Sequence, residues 1–172
     1  DLGSAETRCQ ERPDGARARN AYKAQALVGF SLVRNRSGEV RIVLSNRSWE
    51  PIGKRIAELT PRNWGNSFKR CIAQINTYWK GWFGFFGIAS FPAGSLDAHI
   101  RRRLRAILLK QWKRNRTRAY KLIQLGVSWR KAWHSVYKGR QSVWALSHNS
   151  AVERGLRNAY FAKRGLVSLR DL

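Results

Sequence analysis

Residues 97–121 read DAHIRRRLRAILLKQWKRNRTRAYK: ten Lys and Arg in twenty-five positions, with Asp97 as the one acid. A solvated helix face, a disordered basic tail and a surface for a polyanion all produce such a run, and spacing separates them. Leu96, Ile100, Leu104, Ile107, Leu108 and Trp112 recur at steps of three and four, which predicts a helix with one apolar face. Arg101 and Arg105 share a strip beside that face, and Arg103, Lys110 and Arg114 line the far side. The break at FPAGS makes Ser95 the expected N-cap, with Asp97 in the first turn, where the helix dipole favours an acid. The stretch therefore reads as an ordered amphipathic helix, with basic residues continuing past its end through Arg116, Arg118 and Lys121.

The flanking sequence reads as mainly helical too. In NSFKRCIAQINTYWKGWFGFF, the residues Phe68, Cys71, Ile72, Ile75, Trp79, Trp82 and Phe86 form a second helical stripe, with Lys69, Arg70 and Lys80 off it. Before it, SWEPIGKRIAELTPRN has Ser48 as a candidate N-cap, Pro51 in the first turn and a stop near Pro61. Earlier still, two β-rich runs, Ala26–Val33 and Val40–Leu44, flank a Ser37-Gly38 turn signal and predict a hairpin. Past the basic run, helices are expected from Thr117 to Leu125, ended by Gly126, and from Ser128 to Lys138, ended by Gly139. SVWALS reads as an apolar link, and a last helix is expected from Asn149 to Arg164, with Val152, Leu156 and Tyr160 inward and Gly165 at its stop. Residues 1–20 are polar and aperiodic and read as a flexible leader. The fold class is mainly α, a helical bundle with a small N-terminal β-hairpin.

Charge narrows the function. Thirty-four Lys and Arg against ten Asp and Glu leave a net charge of +24 on 172 residues. A folded domain with this much self-repulsion implies a partner that relieves it, and nucleic acid is the usual one. No apolar run approaches the roughly 18–20 residues of a membrane span, and no signal-peptide core is present, so a cytoplasmic protein is expected. Cys9 and Cys71 have no Cys or His at ligand spacing, so neither zinc nor another metal is expected and Cys71 reads as a buried thiol.

The carboxylates argue against catalysis. Between Leu59 and Val152 the only acid is Asp97, against eighteen Lys and Arg, whereas two-metal chemistry needs two or three converging carboxylates. His99, His134 and His148 are isolated from any nucleophile pattern. Binding remains: Arg and Lys neutralise phosphates, and a cationic helical surface suits structured RNA, which is recognised largely by backbone and shape. The candidate contacts are Lys80, Arg101, Arg102, Arg103, Arg105, Lys110, Lys113, Arg114, Arg116, Arg118, Lys121, Arg130 and Lys131, with Trp112. Trp79, Trp82 and Phe86 read as core. For Trp112, Trp129 and Trp133, set among cations, core packing and base stacking both stay open.

An ordered series of segments resembles one family. LVGF followed by a basic hairpin, then KRIAELTPRN, INTYWKGWFGFF, LDAHIRRRLRAILLKQWKR, LGVSWRKAW and NAYFAKRGLVSL are similar to the end of the palm, the thumb and the maturase-specific domain of group II intron reverse transcriptases. The resemblance implies a helical module that grips intron RNA, helps it fold for splicing, and in the whole enzyme holds the template–primer duplex. It maps the family's basic helix onto Arg101, Arg102, Arg103, Arg105, Lys110, Lys113 and Arg114, and the packing helix onto Trp79–Trp82. It also implies an organisation: a leader at 1–20, an end-of-palm hairpin at 21–47, a thumb and maturase-specific domain at 48–127, and a helical extension at 128–172. The Tyr-x-Asp-Asp motif and the fingers are absent from the sequence. A detached or truncated maturase portion with no cofactor and no polymerase activity of its own is therefore expected, either acting alone on RNA or completed by a palm-bearing chain.

Overall fold

The computed structural model describes residues 26–27, 29–34, 38–61, 67–138 and 142–171. The expected leader and the Ser37 half of the hairpin turn lie outside them. Three antiparallel strands come first: β1 (Ala26–Leu27), β2 (Phe30–Arg34) and β3 (Val40–Leu44), in that order across the sheet. The first β-rich run is thus two strands rather than one. Gly29 breaks it at φ 93°, a conformation open to glycine because it has no Cβ, and a Cβ there would meet Ser48 Oγ at 2.8 Å. The free Gly29 carbonyl accepts from Ser45 N–H and Ser48 Oγ, which ties the sheet to the helix that follows.

That helix, α1 (Asn46–Leu59), begins three residues before the expected start. Ser45, not Ser48, is the N-cap, accepting from Ser48 N–H. Pro51 consequently sits in the second turn, where a bond to the Arg47 carbonyl is forgone. Burial of Ile52 and Ile56 on the opposite face offsets that loss. Helix α2 (Phe68–Phe86), capped by Ser67, buries Cys71, Ile72, Ile75, Trp79 and Trp82, as the stripe predicts. Trp79 is wholly enclosed, and burial raises the Cys71 thiol to about 11, against the opposing pull of Arg103.

The quoted stretch forms α3 (Ala93–Gln111) and continues into α4 (Asn115–Gln124). The N-cap position of α3 is Pro92 rather than Ser95, whose hydroxyl instead donates to the Pro92 carbonyl. The expected apolar face is present, but Asp97, Arg105, Ala106 and Leu109 are buried as well. α3 is therefore enclosed over more of its circumference than one face.

Helix α4 ends as its glycine predicts. Gly126 has φ 86°, its N–H bonds the Ile123 carbonyl, and Val127 N–H reaches back to Leu122. Helix α5 (Trp129–Tyr137) follows after a four-residue link. SVWALS is not a plain link: Ser142 caps a short helix, α6 (Val143–Leu146), by accepting from Ala145 N–H.

The expected last helix is two, α7 (Ser150–Gly155) and α8 (Asn158–Ala162). A continuous helix would give the Leu156 carbonyl to Tyr160 N–H. Here Arg105 Nε donates to that carbonyl, and Tyr160 N–H turns to Arg157. Gly155 lets α7 come close to α4, since a Cβ there would meet both Leu122 and Val127 at 3.1 Å. With the break, Phe161 points inward and is buried while Tyr160 is half-buried.

The buried residues from Ile52 to Leu169 form one cluster, which crosses the expected boundary at 127/128. The tail closes it. Asn76 of α2 donates to the Gly165 carbonyl and accepts from Val167 N–H, while Asp97 accepts from Leu169 N–H and Ser168 Oγ. Asp97 thus serves as a buried anchor for the tail rather than a solvated helix-dipole partner. Among the described residues, no helix is long and apolar enough to cross a membrane.

Candidate nucleic-acid interface

The ten cations of the quoted stretch divide in two. The first four are tied into the protein. Arg101 lies 3.7 Å from the Asp97 carboxylate and is largely covered. Arg102 stacks over the Trp144 ring of α6 at 4.2 Å. Arg103 donates to Thr60 Oγ1 and to the carbonyls of Ala57 and Thr60, closing the C-terminus of α1. Arg105 bonds both the Leu156 carbonyl and Glu153 at 3.3 Å. Burial pushes the Arg105 guanidinium below the usual arginine range, and Glu153 partly restores it.

This corrects the expected geometry of the basic helix. Arg105 is 8% exposed and does not present its charge on a strip open to solvent. Arg101, Arg102 and Arg103 are half-buried; Arg101 turns to Asp97 on its own helix, and Arg102 and Arg103 are committed to neighbouring elements. Local sequence made α3 look cationic on one side because the partners of Arg102, Arg103 and Arg105 lie tens of residues away, with only Asp97, beside Arg101, close in sequence.

Exposed charge begins at the end of α3. Lys110, Lys113, Arg114, Arg116 and Lys121 are exposed, as are Arg130 and Lys131 of α5 and Lys80 of α2. Lys113, Arg114, Arg130, Lys131 and Lys80 form no ion pair or hydrogen bond with the described residues, so their charge is available to an outside group. Arg118 is the exception in this half. It donates to the Leu109 carbonyl at 2.7 Å and to Asn115 Oδ1 at 2.8 Å, joining α3 to α4, and burial lowers its pKa. Lys121 reaches Gln124 at 3.3 Å.

The aromatics split as well. Trp112 is half-buried and packs against the core. Trp129, by contrast, is 65% exposed. Trp129, Trp133 and Tyr137 follow one another at four-residue steps along α5, with ring centroids 6.0 and 5.2 Å apart. Tyr120 of α4 joins edge-on to Trp133 at 5.7 Å, and Arg116 covers Tyr120 at 5.6 Å. Tyr120 and Tyr137 are exposed and were not among the residues expected from sequence; the spacing 129, 133, 137 was the available signal for Tyr137, and none marked Tyr120.

A cavity of about 180 Å³ opens on another side of α5, between Lys131, His134, Ser135, Ser150, Ala151 and Arg154. Among the described residues, no carboxylate lines it. Glu153, adjacent in sequence, is turned to Arg105 and His148. Among the described residues no group of three or more His, Cys, Asp and Glu lies at metal-holding range.

Part of this surface, on α3 and α4, lies in a segment that matches a known family, whereas α5 lies beyond the match. Residues 51–124, from within α1 to the end of α4, match the family of the group II intron maturase-specific domain. The match agrees with the maturase-specific domain that the ordered motifs suggested, and it covers this segment alone. No curated protein matches the chain.

Proposed function

We propose that the chain binds folded group II intron RNA through the exposed cations between the end of α3 and α5, and stabilises that fold for splicing without a catalytic step of its own. The observation that carries the reading is the division of charge. Arg101, Arg102, Arg103 and Arg105 are consumed by the fold, whereas Lys113, Arg114, Arg130 and Lys131 are exposed with no partner among the described residues. A protein gains nothing in stability from such unpaired like charges, and a phosphate backbone neutralises them with release of counterions. The matched domain supplies the class of RNA, and the sparse carboxylates of the sequence support a role in binding rather than cleavage. Site of action is the cytoplasm in this reading. Filter binding of the purified chain to a structured group II intron, against random duplex DNA, tests it. Intron RNA is expected to win the competition; equal binding makes the chain a general polyanion binder.

A second reading has its own support. On the sheet, Leu32 pairs with Ile42 and Arg34 with Val40, which puts Leu32, Ile42 and Val40 on one face, and all three are exposed. An apolar sheet face of this kind suits a second chain, and a palm-bearing reverse transcriptase chain is the candidate. Primer extension by a mixture of the two, and by neither alone, would establish it.

A further inference from the structure

We propose that α5 holds an unpaired segment of RNA, with bases stacked on its aromatic flank and a phosphate seated in the cavity on its opposite flank. This rests on the RNA-binding reading above and adds to it a site on α5 for unpaired nucleotides. Successive residues of a helix are about 100° apart, so the three functions of α5 are separated around its circumference. Ala132, Ser135 and Val136 face the core. Trp129, Trp133 and Tyr137 run along one side of that face, towards Tyr120 of α4. Lys131 and His134 fall on the other side, towards Arg154 and Ser150 of α7. Arg130 occupies the exposed ridge between the two flanks.

Each flank has the chemistry of one part of a nucleotide. An aromatic face left in water gains by stacking on any base, and the stack is tolerant of sequence. Trp133 and Tyr137 are already parallel to within 13°, and Trp129 extends the row into solvent. The cavity has room for a phosphate group and offers it two cations, an imidazole and two hydroxyls, with no opposing acid among the described residues. A base-paired duplex hides its base faces, so the aromatic flank is of use only to unpaired nucleotides. Charge decides the occupant: a second copy of a +24 chain would be repelled, whereas RNA complements Arg116, Arg130 and Lys131.

The test compares two fluorescein-labelled probes by anisotropy: an unstructured oligoribonucleotide of about ten nucleotides and a perfect RNA duplex of the same length. Trp129→Ala should weaken the unstructured probe about tenfold and leave the duplex within about twofold, because its loss removes one stacked base. Trp129→Phe should recover most of the affinity. Lys131→Ala with Arg154→Ala should weaken the unstructured probe and reduce its salt slope by about one to two. Equal affinity of Trp129→Ala and the native chain for the unstructured probe overturns the proposal, as does an equal loss for both probes. A change in sedimentation mass with RNA affinity intact assigns the aromatic flank to a protein contact and also overturns it. Native protein that binds neither probe nor intron RNA refutes the underlying RNA-binding reading instead.

Discussion

Arg105 of α3 and Glu153 of α7 meet at 3.3 Å, with the arginine side chain 10% and the glutamate 40% exposed. The same guanidinium closes the gap between α7 and α8 by donating to the Leu156 carbonyl. An arginine from the most basic stretch of the chain is thus part of the packing of its C-terminal third.

Arg105→Ala should therefore act on stability. Breaking a fully buried pair costs about 3–5 kcal/mol, and the partial exposure of Glu153 screens this one to about 2–3 kcal/mol. Denaturant melts of Arg105→Ala, Glu153→Ala and the double variant check it. The double variant should lose less than the sum of the two singles. Additive losses would mean that the contact contributes nothing.

Asp97 makes a parallel case at the other end of α3. Asp97→Ala leaves the buried Leu169 N–H without its acceptor and frees Ser168 and Arg101. A loss of about 2–3 kcal/mol is expected, together with faster tryptic cleavage at Lys163 and Arg164 as the tail detaches. Unchanged cleavage would show that Leu166 and Leu169 hold the tail by packing alone.

His99 sets a pH dependence. Burial, then Arg103, then Arg102 lower its pKa below the ordinary histidine value. The unfolded chain consequently binds this proton more readily than the folded one. Stability from this source is complete above pH about 6.5 and falls as the pH drops through the folded pKa. Thermal melts at pH 7.5 and 5.5 should show a larger drop in Tm for the native chain than for His99→Gln. The difference should be small, because the residue is only partly covered and solvent screens the effect. Equal drops would assign the acid sensitivity to other groups.

What was legible in the sequence followed from local periodicity. The α2 stripe from Cys71 to Trp82 and the apolar face of α3 are as the spacing predicts, since burial on one face imposes steps of three and four. Gly126 and Gly165 mark turns with positive φ where only the backbone conformation had to be guessed. Helix starts were less legible: Ser45 and Ser48 are both competent caps, and the Gly29 carbonyl, held by both, favours the earlier one. The fate of the arginines could not be read locally. Arg103 is matched by Thr60 across forty-three residues and Arg105 by Glu153 across forty-eight. Trp144, which stacks under Arg102, stood in a segment that looked like a connector.

The division between bound and available cations is the centre of the account, and charge reversal tests it. Lys113→Glu, Arg114→Glu and Arg130→Glu should be combined in one chain and compared with Lys54→Glu, an exposed cation of α1. Binding to group II intron RNA should be titrated across a range of salt, with thermal melts as the control for folding. The account predicts a triple variant that melts like the native chain, binds about a hundredfold more weakly at moderate salt, and has a salt slope lower by about two to three. Lys54→Glu should change little. A triple variant that binds as tightly as Lys54→Glu, with an unchanged slope, would contradict it.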